Sequence, residues 1–264
     1  MTAIALTIAG SDSSGGAGIE ADLKTFSALG VYGAAVITAL TAQNTTGVFA
    51  IHQVPADFIA AQIDAVLSDL AVGAVKIGML GDAPAIEAVA AGLVRHRARN
   101  VVLDPVMVAS TGVDLLRADA MAALRTLVGG VGLVTPNLFE AAALLDAPMA
   151  RDEDEMRVQG QKLLAFGAGA VLIKGGHAGG PESVDLLIET DRCTRFAAPR
   201  LPTKNTHGTG CTLASAVAAG LAKGLPLAAA VGEAKTYVSA AIAAADRLAI
   251  GSGRGPLHHF YKWW

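Results

Sequence analysis

Short apolar runs alternate with amphipathic segments along almost the whole chain. Residues 3–9 form a nearly continuous apolar run, broken only by Thr7, as a strand buried on both faces does, and a polar, glycine-rich loop follows at 10–17. The spacing predicts a helix over 18–29, stopped by Gly30. Residues 32–40 read as a strand. A helix is predicted over 55–70, with Phe58, Ile59, Ile63, Val66 and Leu67 on one face. A buried strand at 75–80 leads to Asp82, an N-cap for a helix over 83–96. Residues 101–103 form a strand that closes on Asp104-Pro105. Another, at 133–134, runs into Thr135-Pro136-Asn137 and a helix over 138–145.

The acidic run 152–155 suits the positive end of a helix dipole and opens the next helix. A strand at 171–173 ends in Lys174-Gly175-Gly176. Residues 184–188 and 194–198 pair as a hairpin or edge strands. An alanine-rich helix runs from Gly208 to about 222, and a last long helix from Pro226 to about 248. Repeated strand–helix alternation implies a mainly parallel sheet covered on both faces. No linker, repeat or low-complexity tract interrupts the pattern, so one domain spanning 1–264 is expected.

Composition narrows the class. Hydrophobic residues are 53%, charged residues 16% and the net charge −3, which excludes disorder and argues against a nucleic-acid partner. The longest uncharged stretch, 25–56, is interrupted by Gly30, Gly33, Gln43, Asn44 and Gly47, so it is not expected to span a membrane. No basic region precedes the first apolar run, and only Cys193 and Cys211 are present. A cytoplasmic protein without a signal peptide is expected.

No GxxxxGK[ST], HExxH or CxxC occurs. Residues 16–21 match G-x-G-x-x-A, but no acidic residue stands between Asp22 and Asp57 to hold a ribose, so a dinucleotide site is not expected. The sharpest signal is Asn205-Thr206-His207-Gly208-Thr209-Gly210-Cys211-Thr212, directly before a long helix. Backbone N–H groups at such a junction cradle an anion such as a transferring phosphoryl group, and glycine permits close approach. A plain glycine loop is the alternative. Cys211 falls in the first helical turn, where a thiol pKa can drop and the group can take a proton. A small buried hydrophobe is its plainer reading.

Asn137 and Glu140 share a helix face after a strand end, which suits a magnesium site using one or two carboxylates, and Asp104 is a second candidate. Each alone also reads as a cap or a solvated face. Lys174 ends a strand, and Lys235 lies within an apolar helix, where a lysine needs a partner or ligand unless it snorkels. Gln43 and Asp22 can read a heterocycle edge or satisfy backbone groups.

Taken in order, several segments resemble the hydroxymethylpyrimidine/phosphomethylpyrimidine kinases of the ribokinase-like superfamily. They are residues 9–18 with Asp22, 41–44, 76–80, 104–107, 135–140, Lys174-Gly175-Gly176-His177, 206–212 and 253–258. The resemblance implies a three-layer α/β/α sandwich with a mostly parallel central sheet and a small β flap. It implies ATP, Mg2+ and two successive phosphorylations of 4-amino-5-hydroxymethyl-2-methylpyrimidine in thiamin biosynthesis, by a homodimer. By position, Asp22, Gln43, Met79 and Val106 bind the pyrimidine, and Gly208 and Gly210 line the anion hole, with Cys211 as base. Asp104 and Glu140 hold magnesium. Asn137, Lys174, Thr206 and Lys235 lie near the nucleotide. Pyridoxal kinase is the nearest alternative enzyme, and a catalytically silent binder the alternative from another class.

Overall fold

The computed structural model describes residues 2–109, 112–176 and 179–264. His177 of the quoted motif lies outside the described residues. Nine strands form one sheet in the order β3-β2-β1-β4-β5-β6-β7-β8-β9. They are β1 (Ile4–Asp12), β2 (Tyr32–Asn44), β3 (Gly47–Gln53), β4 (Ala74–Ile77), β5 (Val101–Leu103), β6 (Leu133–Val134), β7 (Val171–Lys174), β8 (Glu182–Ile188) and β9 (Cys193–Pro199). From β2 to β7 every neighbouring pair is parallel, and antiparallel pairs close both edges.

Strand periodicity decides which side chains face which layer. Val75 and Ile77, Val101 and Leu103, and Val171 and Ile173 point to one face. There they meet α2 (Ala56–Leu67), α3 (Ala83–Arg95), α4 (Met121–Val128), α5 (Leu138–Leu145) and α6 (Glu153–Leu164). Ala74, Val102 and Leu172 point the other way, to α1 (Gly18–Ala28), α7 (Thr209–Ala222) and α8 (Leu227–Ala243). Alanine-rich faces let α7 and α8 lie close, and a Cβ on Gly220 would stand 2.9 Å from that of Ala230. The result is the expected three-layer α/β/α arrangement.

Most elements fall where the pattern predicts them, including Asp82 as the N-cap of α3, which accepts from the Ala85 amide at 3.0 Å. Three features differ. Phe58 is 61% exposed, because α2 buries only the narrower stripe of Ile59 and Ile63. The strand expected at 32–40 continues to Asn44 and turns through Thr45-Thr46 into β3. Asn44 is therefore exposed and caps that turn, accepting from Thr46 N at 2.8 Å. This two-stranded extension supplies the small β flap. The α4 helix, which the pattern left unassigned, buries Leu124, Leu127 and Val128.

On the α1/α7 face, strand alternation brings Lys76 inward with no solvent exposure. Its Nζ donates to Asp22 Oδ2 at 2.7 Å, and Asp22 also accepts from Thr7 Oγ1 and Ser215 Oγ, each at 2.6 Å. Burial is the largest single influence and works to lower the Lys76 pKa, but the charge and hydrogen bond of Asp22 together with the Cys211 and Asp104 charges outweigh it, and the pKa is raised. Removing one partner from such a pair strands a charge in low dielectric. Lys76→Met is expected to cost about 3–5 kcal/mol in urea unfolding, and the double change with Asp22→Leu to recover most of it. A single variant within about 1 kcal/mol of the parent would contradict this reading.

Candidate active site

The parallel strands β1, β4, β5, β6 and β7 all end on one edge. Their order reverses beside β1, since β2 lies on one side of it and β4 on the other. Ligands of open α/β sheets bind outside strand carboxyl ends at such a switch point. A cavity of about 980 Å³ opens there, large enough for two small substrates together. It is lined from the β1 end by Gly10 to Asp12, from the β2 extension by Thr41 and Gln43, and after β4 and β5 by Met79, Asp104 and Val106. Asn137, Glu140, Lys174, Lys235 and the α7 start at Thr206 to Cys211 complete it.

The α7 start owes its shape to close packing. Gly208 is the N-cap with φ +80°, and a Cβ there would lie 1.9 Å from the Gly16 carbonyl oxygen. Only glycine fits both demands. No side chain caps this end; the Thr209 amide turns back to the Thr206 carbonyl at 3.3 Å, and the Gly210 and Cys211 amides follow it at the cavity lining. A Cβ on Gly210 would meet Lys174 Nζ at 3.3 Å and Asp104 Oδ2 at 3.4 Å, so the helix start looks onto those two groups.

Asp104 is buried and accepts from Lys174 Nζ at 2.5 Å and Thr135 Oγ1 at 3.1 Å. Lys174 Nζ is 3.8 Å from Glu140 Oε2. Burial pushes the Glu140 pKa up to about 7; Lys174 opposes that rise and Asp104 adds to it. Asn137 and Glu140 form a reciprocal capping box, with Asn137 Oδ1 accepting from Glu140 N at 2.9 Å and Glu140 Oε2 from Asn137 N at 2.8 Å. The pair therefore caps α5 and also lines the cavity.

Among the described residues no three or more His, Cys, Asp or Glu are arranged to hold a metal. Magnesium that arrives on phosphates needs fewer, typically one or two carboxylates with waters. Asp104 and Glu140, linked through Lys174, fit that smaller demand. Glu140 is a carboxylate whose charge is costly here and which a cation would stabilise.

Two expectations need correction. Asp22 does not line the cavity. Its oxygens are taken by Lys76, Thr7 and Ser215 below the floor, so it cannot read a heterocycle edge. Cys211 does line the cavity, but its thiol pKa is pushed up to about 11 rather than down. Burial is the larger cause, and the Lys76 charge counteracts it only in part. The helix-start effect that lowers a thiol pKa is outweighed.

The other candidates sit at the cavity wall. Gln43 Oε1 accepts from Thr41 Oγ1 at 3.2 Å. Lys235 has the partner that its setting demanded, donating to Asp185 Oδ2 at 2.7 Å and Ser183 Oγ at 3.3 Å. The Thr206 carbonyl accepts from Thr209 Oγ1 at 2.7 Å. Residues 16–21 hold no dinucleotide cradle: Asp12 and Glu20 already take the amides of Gly16, Ala17 and Asp12. Sequence reasoning passed over Lys76 and the Asp12–His207 pair. A lysine inside the apolar run 74–77 was the available signal for the first.

Comparison with known proteins is consistent throughout. A family model described as phosphomethylpyrimidine kinase matches residues 12–258. A hydroxymethylpyrimidine/phosphomethylpyrimidine kinase of Rhizobium meliloti is 60% identical over 265 residues, covering 100% of this chain and 99% of the relative. A solved pyridoxal kinase from Bacillus subtilis, an ADP complex, gives a TM-score of 0.91 at 36% identity over 98% of each chain. A solved phosphomethylpyrimidine kinase from Clostridium difficile gives 0.81 at 41% identity, covering 90% of this chain and 99% of the other.

Two outcomes follow from the geometry. Gly208→Ala meets both a main-chain clash and a positive φ, and is expected to lower the unfolding midpoint sharply. Gly210→Ala meets only side-chain atoms and is expected to fold near normally; equal stability of the two would refute the packing argument. In a Cys193→Ser background the ultraviolet thiolate absorbance of Cys211 is expected to rise with a midpoint near 11. A midpoint below the ordinary thiol value would show a preformed thiolate.

Proposed function

The chain belongs to the phosphomethylpyrimidine kinase family, and we propose that it is an ATP-dependent phosphotransferase of the ribokinase-like fold. It phosphorylates 4-amino-5-hydroxymethyl-2-methylpyrimidine and then the monophosphate to the diphosphate, in thiamin biosynthesis. The observation that carries this reading is the uncapped start of α7 facing Lys174 and Asp104 inside one cavity. Phosphoryl transfer asks the protein for positioning and charge stabilisation more than for covalent chemistry. Amides at a helix start supply that without reorganising.

In this reading Gly208 and Gly210 let the main chain approach the migrating group, and Lys174 balances its charge from the opposite side. Thr206, Asn137 and Lys235 border the nucleotide, Lys235 with its charge balanced by Asp185. Asp104 and Glu140 would hold magnesium, whose contribution when bound is to neutralise phosphate charge. Gln43, Met79 and Val106 form the wall for the pyrimidine. Cys211 holds its proton in the resting protein, so it serves the acceptor hydroxyl as a hydrogen-bonding neighbour. Protonated, it cannot also take up the hydroxyl proton, which instead leaves late in the transfer, to water or to an oxygen of the migrating phosphoryl group. A loose transition state makes such late proton movement sufficient.

Pyrimidine is favoured over pyridoxal by the 60% identity to a kinase named for the pyrimidine, against 36% to the solved pyridoxal kinase. Among the described residues no helix is long and apolar enough to cross a membrane, and the placement we propose is cytoplasmic. One domain over the whole chain accords with the single sheet. A homodimer completes the proposal: Leu40, Phe49 and Ile51 stand exposed on the outer hairpin as apolar surface for a second copy.

The deciding experiment compares the purified protein on the pyrimidine alcohol, its monophosphate and pyridoxal, each with ATP and magnesium. Turnover of both pyrimidine substrates is expected, with kcat/KM for the alcohol at least about tenfold above that for pyridoxal, a difference of roughly 1.4 kcal/mol. The reverse order would make pyridoxal the substrate, and absence of transfer from labelled ATP in a single turnover would leave a binding protein.

A further inference from the structure

One buried pair joins two loops that carry different halves of the proposed chemistry. Asp12 ends β1, and His207 directly precedes Gly208. Both are nearly sealed from solvent, and His207 Nε2 lies 2.8 Å from Asp12 Oδ2. An ionised carboxylate can only accept, so Nε2 carries the proton and His207 donates. Asp12 Oδ2 also accepts from the amides of Gly16 at 3.1 Å and Ala17 at 2.9 Å, and Oδ1 from Ser14 N at 2.9 Å and Oγ at 2.7 Å. Burial alone would raise the Asp12 pKa, but the bonds from His207 and Ser14 win and hold it at about 2. The carboxylate is a fixed anchor.

The anchored loop reaches both sides of the cavity. Ser13 Oγ donates to the Gln43 carbonyl and accepts from the Gln43 amide, each at 2.9 Å, so the loop holds the end of β2. On the opposite side Gly16 packs directly under Gly208. The His207 main chain has a separate tie, its amide donating to the Gly255 carbonyl at 3.1 Å. Losing the imidazole therefore leaves the backbone held, removes a 3.4 Å contact between His207 Nε2 and Gln43 Nε2, and frees the α7 start to shift against the loop and the Gln43 wall.

We propose that His207 is a positioning residue for phosphoryl transfer. Its bond to Asp12 fixes the α7 amides relative to the Gln43 wall, and so aligns the acceptor oxygen with the phosphorus it attacks. This rests on the kinase reading above. In-line transfer between two bound substrates tolerates little error, and a displacement of about 1 Å can cost on the order of 100-fold. Interactions that only align the reacting groups appear in kcat and leave ground-state binding largely unchanged.

The test compares His207→Ala with His207→Gln, whose amide nitrogen can take the place of Nε2 and donate to Asp12. Steady-state kinetics are run at a temperature where circular dichroism shows both variants folded. His207→Ala is expected to lower kcat by about 10- to 100-fold with both KM values within about threefold, and His207→Gln to restore kcat to within about fivefold. Calorimetry with ADP alone and with ADP plus aluminium fluoride, a mimic of the migrating phosphoryl group, gives a second readout. His207→Ala should weaken only the fluoride-bearing complex. Wild-type kcat in His207→Ala, a glutamine variant as slow as alanine, a KM rise in place of a kcat loss, or weakened binding of ADP alone would each overturn the proposal. If the unaltered protein transfers no phosphoryl group, the kinase reading itself fails, and that result is visible before any variant is measured.

Discussion

The architecture depends on neutralising positive charge in places where little water reaches. Three lysines approach the strand-end cavity from within the fold, and each meets a carboxylate from a distant part of the chain. Lys76 pairs with Asp22, Lys174 with Asp104 and Lys235 with Asp185. Each partner lies on a different element, so the pairs stitch β4 to α1, β7 to the end of β5, and α8 to β8. None is a large source of stability compared with an apolar replacement. What they impose is registry, because any slip that separates one pair leaves an uncompensated charge in low dielectric.

With these three lysines balanced, main-chain dipoles contribute to the field inside the cavity beside the other charged groups that line it, Glu140, Arg200, Lys204 and Arg254 among them. The uncapped amides at the start of α7 are the positive pole that no carboxylate in the structure cancels by capping. A thiol in the first turn of that helix nevertheless holds its proton. Cys211 lies low enough that the loss of water costs the thiolate more than the dipole and Lys76 return. A helix start thus favours an anion at its mouth without favouring one beneath it. The distinction matters for chemistry, since the incoming phosphate is meant to be the negative group there.

Much of this was legible in the sequence, for physical reasons that can be named. Strands buried on both faces are continuous apolar runs, and the caps Asp82, Asp152 and Asn137 mark helix starts by chemistry that is local. The glycine pair at 208 and 210 announced a close backbone approach. What stayed hidden was non-local. Asp22 looked like a ligand because its neighbours in sequence are motif residues, yet its fate was decided by Lys76, 54 positions away. The Cys211 shift could not be read from its place in a helix, because burial is a property of the assembled fold. The β3 strand was missed because its exposed edge lacks the clean apolar pattern of the inner strands.

Similarity to both pyrimidine and pyridoxal kinases is itself informative about where selectivity resides. A phosphoryl donor makes the same demands whichever hydroxymethyl heterocycle accepts it. In the proposed reading the donor side is built on elements fixed by the sheet and by α7, namely the ends of β5, β6 and β7 with Lys174, Asp104 and Glu140. The acceptor wall is different in kind. Gln43 stands on the part of β2 that projects beyond the parallel sheet, paired only with edge strand β3 and tied back through Ser13. Met79 and Val106 lie in the segments just after β4 and β5. Those positions can change shape without disturbing the buried ion pairs, so the same scaffold can keep its transfer chemistry while its acceptor changes. On the proposed assignment, substrate choice in this chain is therefore a property of the flap and two short post-strand turns, and phosphoryl transfer a property of the frame.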